Sequence, residues 1–134
     1  MTVLVGFVPT PEGEAAFTAG LAEARRRGED LLVLNTPRGG APVSADAAPP
    51  ELVEQQTARA QADGVGLEVR QAPHSGDLAD EVLRVAEEAD ASVIVIGIRR
   101  RSPVGKLLMG SSAQRILLDA DRPVLAVKPR HDAG

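Results

Sequence analysis

The residues best equipped for chemistry lie between Gly97 and Ser112. There Gly97-Ile98-Arg99-Arg100-Arg101-Ser102-Pro103-Val104-Gly105-Lys106 follows an aliphatic run and leads through Leu107-Leu108-Met109 to Gly110-Ser111-Ser112. Gly110-Ser111-Ser112 is expected to open a helix, whose first backbone N–H groups lack partners within the helix and carry the positive end of its dipole. Small glycines let a ligand approach the backbone, and Ser111 and Ser112 can donate hydrogen bonds to phosphate oxygens. Arg99, Arg100, Arg101 and Lys106 can balance the charge of such a group. The chemistry is anion binding, with phosphate as the natural size. The same residue types also suit a helix cap and a solvated basic loop, so on their own they leave both readings open.

Other motifs fall short of a mechanism. Gly105-Lys106 is not a P-loop, because Arg100 stands where the first Gly would be and Leu107 replaces the Ser or Thr. No GxGxxG follows the first strand, so an ordinary dinucleotide-binding domain is not supported. His74 sits at the end of a strand, where it can either meet a ligand or simply face solvent, and His131 lies in a polar tail. No Ser stands in a GxSxG elbow, and no His/Asp/Glu spacing matches a metal site. Glu12 and Glu14 suit the start of the first helix, where carboxylates complement the dipole. The sequence indicates no enzyme.

These residues need a scaffold, and composition bounds it. The chain has 134 residues, 15 Lys+Arg against 19 Asp+Glu, and a formal net charge of −4. That is one domain's length with room for a sizeable core, expected over 1–130 with a polar tail at 131–134. The absence of Cys excludes a disulfide scaffold, a thiolate metal site and a cysteine nucleophile. Phe7 and Phe17 are the only aromatics, which argues against a base-stacking platform for single-stranded nucleic acid. The mild acidity argues against a non-specific nucleic-acid binder as well. Met1 to Val8 is apolar but has no basic flank and ends at Pro9 and Pro11, and no later run is long enough to span a bilayer. A cytoplasmic protein is expected.

Short apolar runs alternate with helical patterns. The runs are Val3–Val8, Leu31–Leu34, Val65–Arg70, Ser92–Ile96 and Pro123–Val127. The second, fourth and fifth are almost purely aliphatic, as in strands covered by helices on both faces, while the mixed third suits a sheet edge. Helical spacing covers Glu12–Arg27 (Phe17, Leu21, Ala24, with Gly20 allowing close packing), Pro50–Ala62 (Leu52, Val53, Ala60) and Asp77–Ala89 (Leu78, Val82, Val85, Ala86, Ala89). The last pattern is Ser111–Ala120 with Ala113, Ile116, Leu117 and Ala120 on its stripe. Asp77 is placed to cap the third helix and Gly28 to stop the first, while Thr36–Pro49 reads as a flexible loop. Strand–helix–strand repeats of this length predict a single doubly wound α/β domain, a five-stranded parallel sheet with helices on both faces. Ligands of such sheets bind beyond the carboxyl ends of the strands, which returns the argument to the Gly97–Ser112 segment.

From Val93-Ile94-Val95-Ile96-Gly97 through Val127 the chain resembles the universal stress protein (UspA-like) family, and the order of elements extends the resemblance over essentially the whole length. The family signature is Gly, two residues, Gly, nine residues, Gly, then Ser or Thr. Here Gly97, Gly110 and Ser111 match it, Arg100 stands at the middle Gly, and Pro123-Val124-Leu125-Ala126-Val127 follows. The resemblance implies strand order 3-2-1-4-5, an adenine nucleotide alpha hydrolase-like fold, and dimers that pair their last strands antiparallel. In the ATP-binding branch it also implies an adenine nucleotide held between the first and fourth strand ends. Family members that bind ATP usually carry an Asp after the first strand, where this chain reads Val8-Pro9-Thr10.

Carried over residue by residue, the resemblance implies that Thr10, Gly97, Arg99, Arg100, Ser102, Gly105, Gly110, Ser111 and Ser112 contact ATP or another adenine nucleotide, with magnesium. It places the homodimer contact on Val124, Leu125, Ala126 and Val127. The expected function is that of a dimeric, nucleotide-binding regulator in the stress response. The alternatives are a dimeric interaction protein of the same family that binds no ATP, and a slow ATPase or autophosphorylating protein.

Overall fold

The almost purely aliphatic runs at Leu31 and Val93 are buried on both faces because they become inner strands of one sheet. A computed structural model describes residues 1–35, 49–71, 78–98 and 111–129, without the side chain of Ser111. Its elements are β1 (Thr2–Gly6), α1 (Pro11–Arg27), β2 (Asp30–Asn35), α2 (Pro50–Ala62), β3 (Leu67–Gln71), α3 (Leu78–Glu88), β4 (Ala91–Gly97), α4 (Ser111–Asp119) and β5 (Val124–Val127). The sheet is wholly parallel in the order β3-β2-β1-β4-β5. Val5 lies between Val33 of β2 and Val95 of β4, which fixes the register of the central strands. The expected fold and strand order are both observed.

Successive side chains point to opposite faces of a strand, so the aliphatic runs feed two cores at once. Val3, Val5, Leu31, Val33, Val93 and Val95 pack with Phe17, Leu21 and Ala24 of α1 and Ala60 of α2. Leu4, Leu32, Leu34, Ile94 and Ile96 pack with Val82, Val85 and Ala86 of α3 and Ile116 of α4. Arg59 of α2 lies over the Phe17 ring, 4.8 Å from its centroid, and ties the two helices of the first layer together.

Local signals set the ends of α1. Thr10 is its N-cap, Pro11 follows at the first helical position, and Gly28 ends it in the left-handed region at φ 67°. Gly20 lets the helix lie close, since a Cβ there would stand 2.2 Å from Val5 Cγ2. Differences from expectation include two strand ends and one position on a helix stripe. β1 stops at Gly6 because the Val8 carbonyl turns back to accept from Thr10 N at 2.8 Å. β3 begins at Leu67 because Val65 N donates to Ala60 O at 2.9 Å, closing the end of α2 behind Gly64. Leu117 is off the buried stripe of α4, 39% exposed, while Ile116 next to it is 3% exposed. The positions of Asp77 and residues 36–48 and 131–134 lie outside the described residues.

Candidate functional site

A cavity of about 100 Å³ opens at the carboxyl ends of the central strands, where the chain winds toward β2 on one side of β1 and β4 lies on the other. This is the switch point at which doubly wound sheets hold ligands. Gly6, Phe7, Val8 and Leu34 form one side, and Ile96 and Gly97 the floor toward β4. Leu78 and Val82 come from α3, and Ser112, Ala113 and Ile116 from the first turns of α4. The cavity is therefore an apolar slot that ends at a helix N-terminus. Such a slot suits a flat, weakly polar body, and the positive end of the helix dipole suits an anion attached to it.

The β1 side of the slot is held firmly. Phe7 N donates to Leu34 O at 2.9 Å, and the fully buried Asn35 donates from Nδ2 to Phe7 O at 2.9 Å. Phe7 is thus clamped to the end of β2 through both backbone groups, which sets where Val8 enters the wall. Beyond it, α1 comes so near that a Cβ on Gly13 would lie 1.7 Å from Val8 O, and a Cβ on Gly97 would lie 2.0 Å from Glu12 O. Only glycine fits at either position. Gly97 therefore both borders the cavity and admits the start of α1.

The sequence-derived residues divide into three groups. Gly97 and Ser112 are brought to one cavity from segments on either side of the Arg-rich loop, with Val8 facing them. Thr10 is engaged elsewhere: its Oγ1 accepts from Gly13 N at 3.2 Å and its carbonyl from Glu14 N at 2.9 Å, so it works as the cap of α1. Arg99, Arg100, Ser102, Gly105 and Gly110 lie outside the described residues, as do Arg101, Lys106 and His74, and Ser111 is placed only as the first residue of α4. Asn35, a polar residue closing an otherwise apolar buried run, is legible in sequence as a strand-end position, but its bond to Phe7 O has no signature there. Leu78, Val82 and Ile116 were expected as core residues, and their role as cavity walls has no separate signature in sequence. Among the described residues, no group of three or more His, Asp or Glu is placed to hold a metal ion.

Comparison with known proteins follows the same outline. The sequence pattern of the Universal stress protein family matches residues 1–128. A universal stress protein of Mycolicibacterium smegmatis is 47% identical over 127 residues, 95% of this chain and 97% of that protein. The structure of a universal stress protein from Archaeoglobus fulgidus superposes with a TM-score of 0.79 at 31% identity, covering 96% of this chain and 98% of the other. A further structure, of the universal stress protein from Archaeoglobus fulgidus in complex with dAMP, superposes at 0.68 with 23% identity, covering 96% and 98%. At that identity the likeness bears on the fold. From its sequence pattern, its close relative and its strand order together, the chain belongs to the universal stress protein family.

Proposed function

We propose that this domain binds an adenine nucleotide in the crevice between β1 and β4, base in the apolar slot and phosphate on the N-terminus of α4. In this reading it works as a homodimeric regulator in the cytoplasm. The observation that carries the reading is the meeting of Val8, Gly97 and Ser112 at one cavity on the switch point. The dAMP complex of a protein with the same fold supports the ligand class. The Arg99–Arg101 loop would supply the remaining charge, and magnesium would arrive with a triphosphate rather than on a protein cage, as that ion commonly does. The homodimer is assigned to β5, the edge strand of the described sheet.

Val8 favours a second reading, a family member that dimerises without ATP, because an apolar side chain stands where ATP-binding members of the family usually carry an Asp. Calorimetry separates the two. Freshly purified protein is denatured and its supernatant chromatographed for released nucleotide, and the stripped protein is titrated with AMP, dAMP and ATP–magnesium. Heat of binding, abolished by Gly110→Val, supports the first reading. No released nucleotide and no heat with any of the three leaves the second. No turnover is assigned to the site, and ATP hydrolysis above background that is lost on Ser111→Ala or Arg100→Ala would overturn that part. No described helix is long and apolar enough to cross a membrane.

A further inference from the structure

The slot between β1 and β4 is narrow for a ligand. Its volume of about 100 Å³ falls well short of the roughly 300 Å³ at which pockets for small molecules begin. The β1 wall is not the one to yield, because Phe7 is bonded to β2 through both its backbone groups. Room for a nucleotide has to come from the facing walls, which are the first turns of α3 and α4.

An ion pair joins those two helices at the same level. Leu78 and Val82 of α3 line the slot, as do Ser112, Ala113 and Ile116 of α4. Asp80 falls between the first two in the chain and Arg115 between the last two. Across the gap, Arg115 Nη2 donates to Asp80 Oδ1. Within α4, Arg115 Nε also donates to Asp119 Oδ2, at 3.4 Å. Two carboxylates on different helices thus share one guanidinium fork. When α3 and α4 part, the bond to Asp80 breaks while Asp119 keeps the guanidinium on α4. Arg115 therefore has a partner in both arrangements.

We propose that the Asp80–Arg115 ion pair is a latch on the slot. Closed, it holds the first turns of α3 and α4 together, and a nucleotide enters as it opens. The inference rests on the nucleotide reading above and adds a control to that site. A ligand that needs a fractionally populated state binds with an affinity reduced by that fraction. Both side chains reach solvent, so the pair has the strength of an exposed one. A latch of that strength lowers apparent affinity by about two- to fivefold and loosens as salt rises.

Simple charge effects make a different forecast, and the two are separable. Asp80→Asn removes a negative charge and favours an anionic ligand, whereas Arg115→Gln removes a positive charge and disfavours it. The latch instead requires both variants to tighten AMP binding in calorimetric titration, each by about two- to fivefold. The double variant is expected to gain no more than one single variant does, because both break the same contact. In the ligand-free protein, methyl relaxation dispersion at Leu78, Val82 and Ile116 reads the open population, which is expected to rise by the same factor. If Arg115→Gln folds poorly, Asp80→Asn carries the test through the ligand-free measurement. An open population unchanged in the variants overturns the latch, whatever AMP does. A raised population that leaves AMP affinity where it was overturns the control of entry. A raised population with no AMP binding in any of the proteins keeps the latch and overturns the nucleotide reading.

Discussion

Gly97, the last residue of β4, lies beneath the Glu12 carbonyl of α1 so closely that an added Cβ would stand 2.0 Å from the oxygen and 2.5 Å from its carbon. The obstructing atoms are backbone, so no rotamer change relieves the clash. Gly97→Ala is expected to push the first turn of α1 off the sheet and lower stability by about 1–3 kcal/mol, the usual cost of overpacking. Urea unfolding monitored by circular dichroism measures it. An unchanged midpoint would show that the start of α1 gives way freely, and that Gly97 serves the ligand alone.

Gln56 offers the opposite test. It is 1% exposed on the buried side of α2, and among the described residues neither its Nε2 nor its Oε1 has a hydrogen-bond partner. A buried amide without partners costs more than an apolar group of the same shape. Gln56→Met, nearly isosteric, is expected to raise unfolding stability by about 1–3 kcal/mol. A destabilised variant would mean that the amide has a partner in solution.

Asn35 governs the β1 wall of the cavity through its bond to Phe7 O. Asn35→Leu removes the donor and leaves that carbonyl short of it in the interior, with an expected loss of about 1–3 kcal/mol. Because Phe7 leads directly to Val8, the same substitution is expected to weaken nucleotide binding further than Gln56→Met does. Equal affinities in the two variants would detach the clamp from the site.

The Glu23 carboxyl is held below its ordinary value, chiefly by the hydrogen bond from Arg27 and also by Arg26, against the opposing effect of burial. Arg27 Nε donates to Glu23 Oε2 at 2.9 Å, and Arg26 reaches the other oxygen. A folded-state value below the unfolded one stabilises the protein above the unfolded value, and that contribution is lost as pH falls through the folded value. Wild type is therefore expected to exceed Glu23→Gln in stability at neutral pH and to converge on it in acid. A gap independent of pH, from urea midpoints across a pH series, would assign the effect to packing instead.

The parallel sheet was legible because period and composition agree along the chain: Leu31–Leu34 and Val93–Ile96 cannot be half-exposed, and Glu68 and Arg70 cannot be central. Thr10, Pro11 and Gly28 set the ends of α1 by local chemistry that needs no tertiary contact. Other features were not readable, since they depend on what lies across a gap. Gly13 and Gly97 show their necessity only when α1 is laid against Val8 and β4. Val65 belongs by type to a strand, yet the left-handed turn at Gly64 spends its N–H on Ala60. Gln56 occupies a position on the α2 stripe where only burial, not polarity, predicts its place. Of the candidate site, Gly97 and Ser112 came from the sequence, whereas the apolar slot between them is a product of how α3 and α4 sit on the sheet.

The glycine contacts also divide the site into a stiff half and a compliant half. α1 lies against Val8 at Gly13 and against β4 at Gly97 with backbone on backbone, and against the stiff β-branched Val5 side chain at Gly20, leaving little slack for adjustment. α3 and α4 reach the same cavity through Leu78, Val82 and Ile116, whose side chains can change rotamer. A ligand larger than the empty slot must make its room by displacing α3 and α4. Amide chemical-shift changes on binding should accordingly concentrate along those two helices, with α1 registering little beyond its first turn.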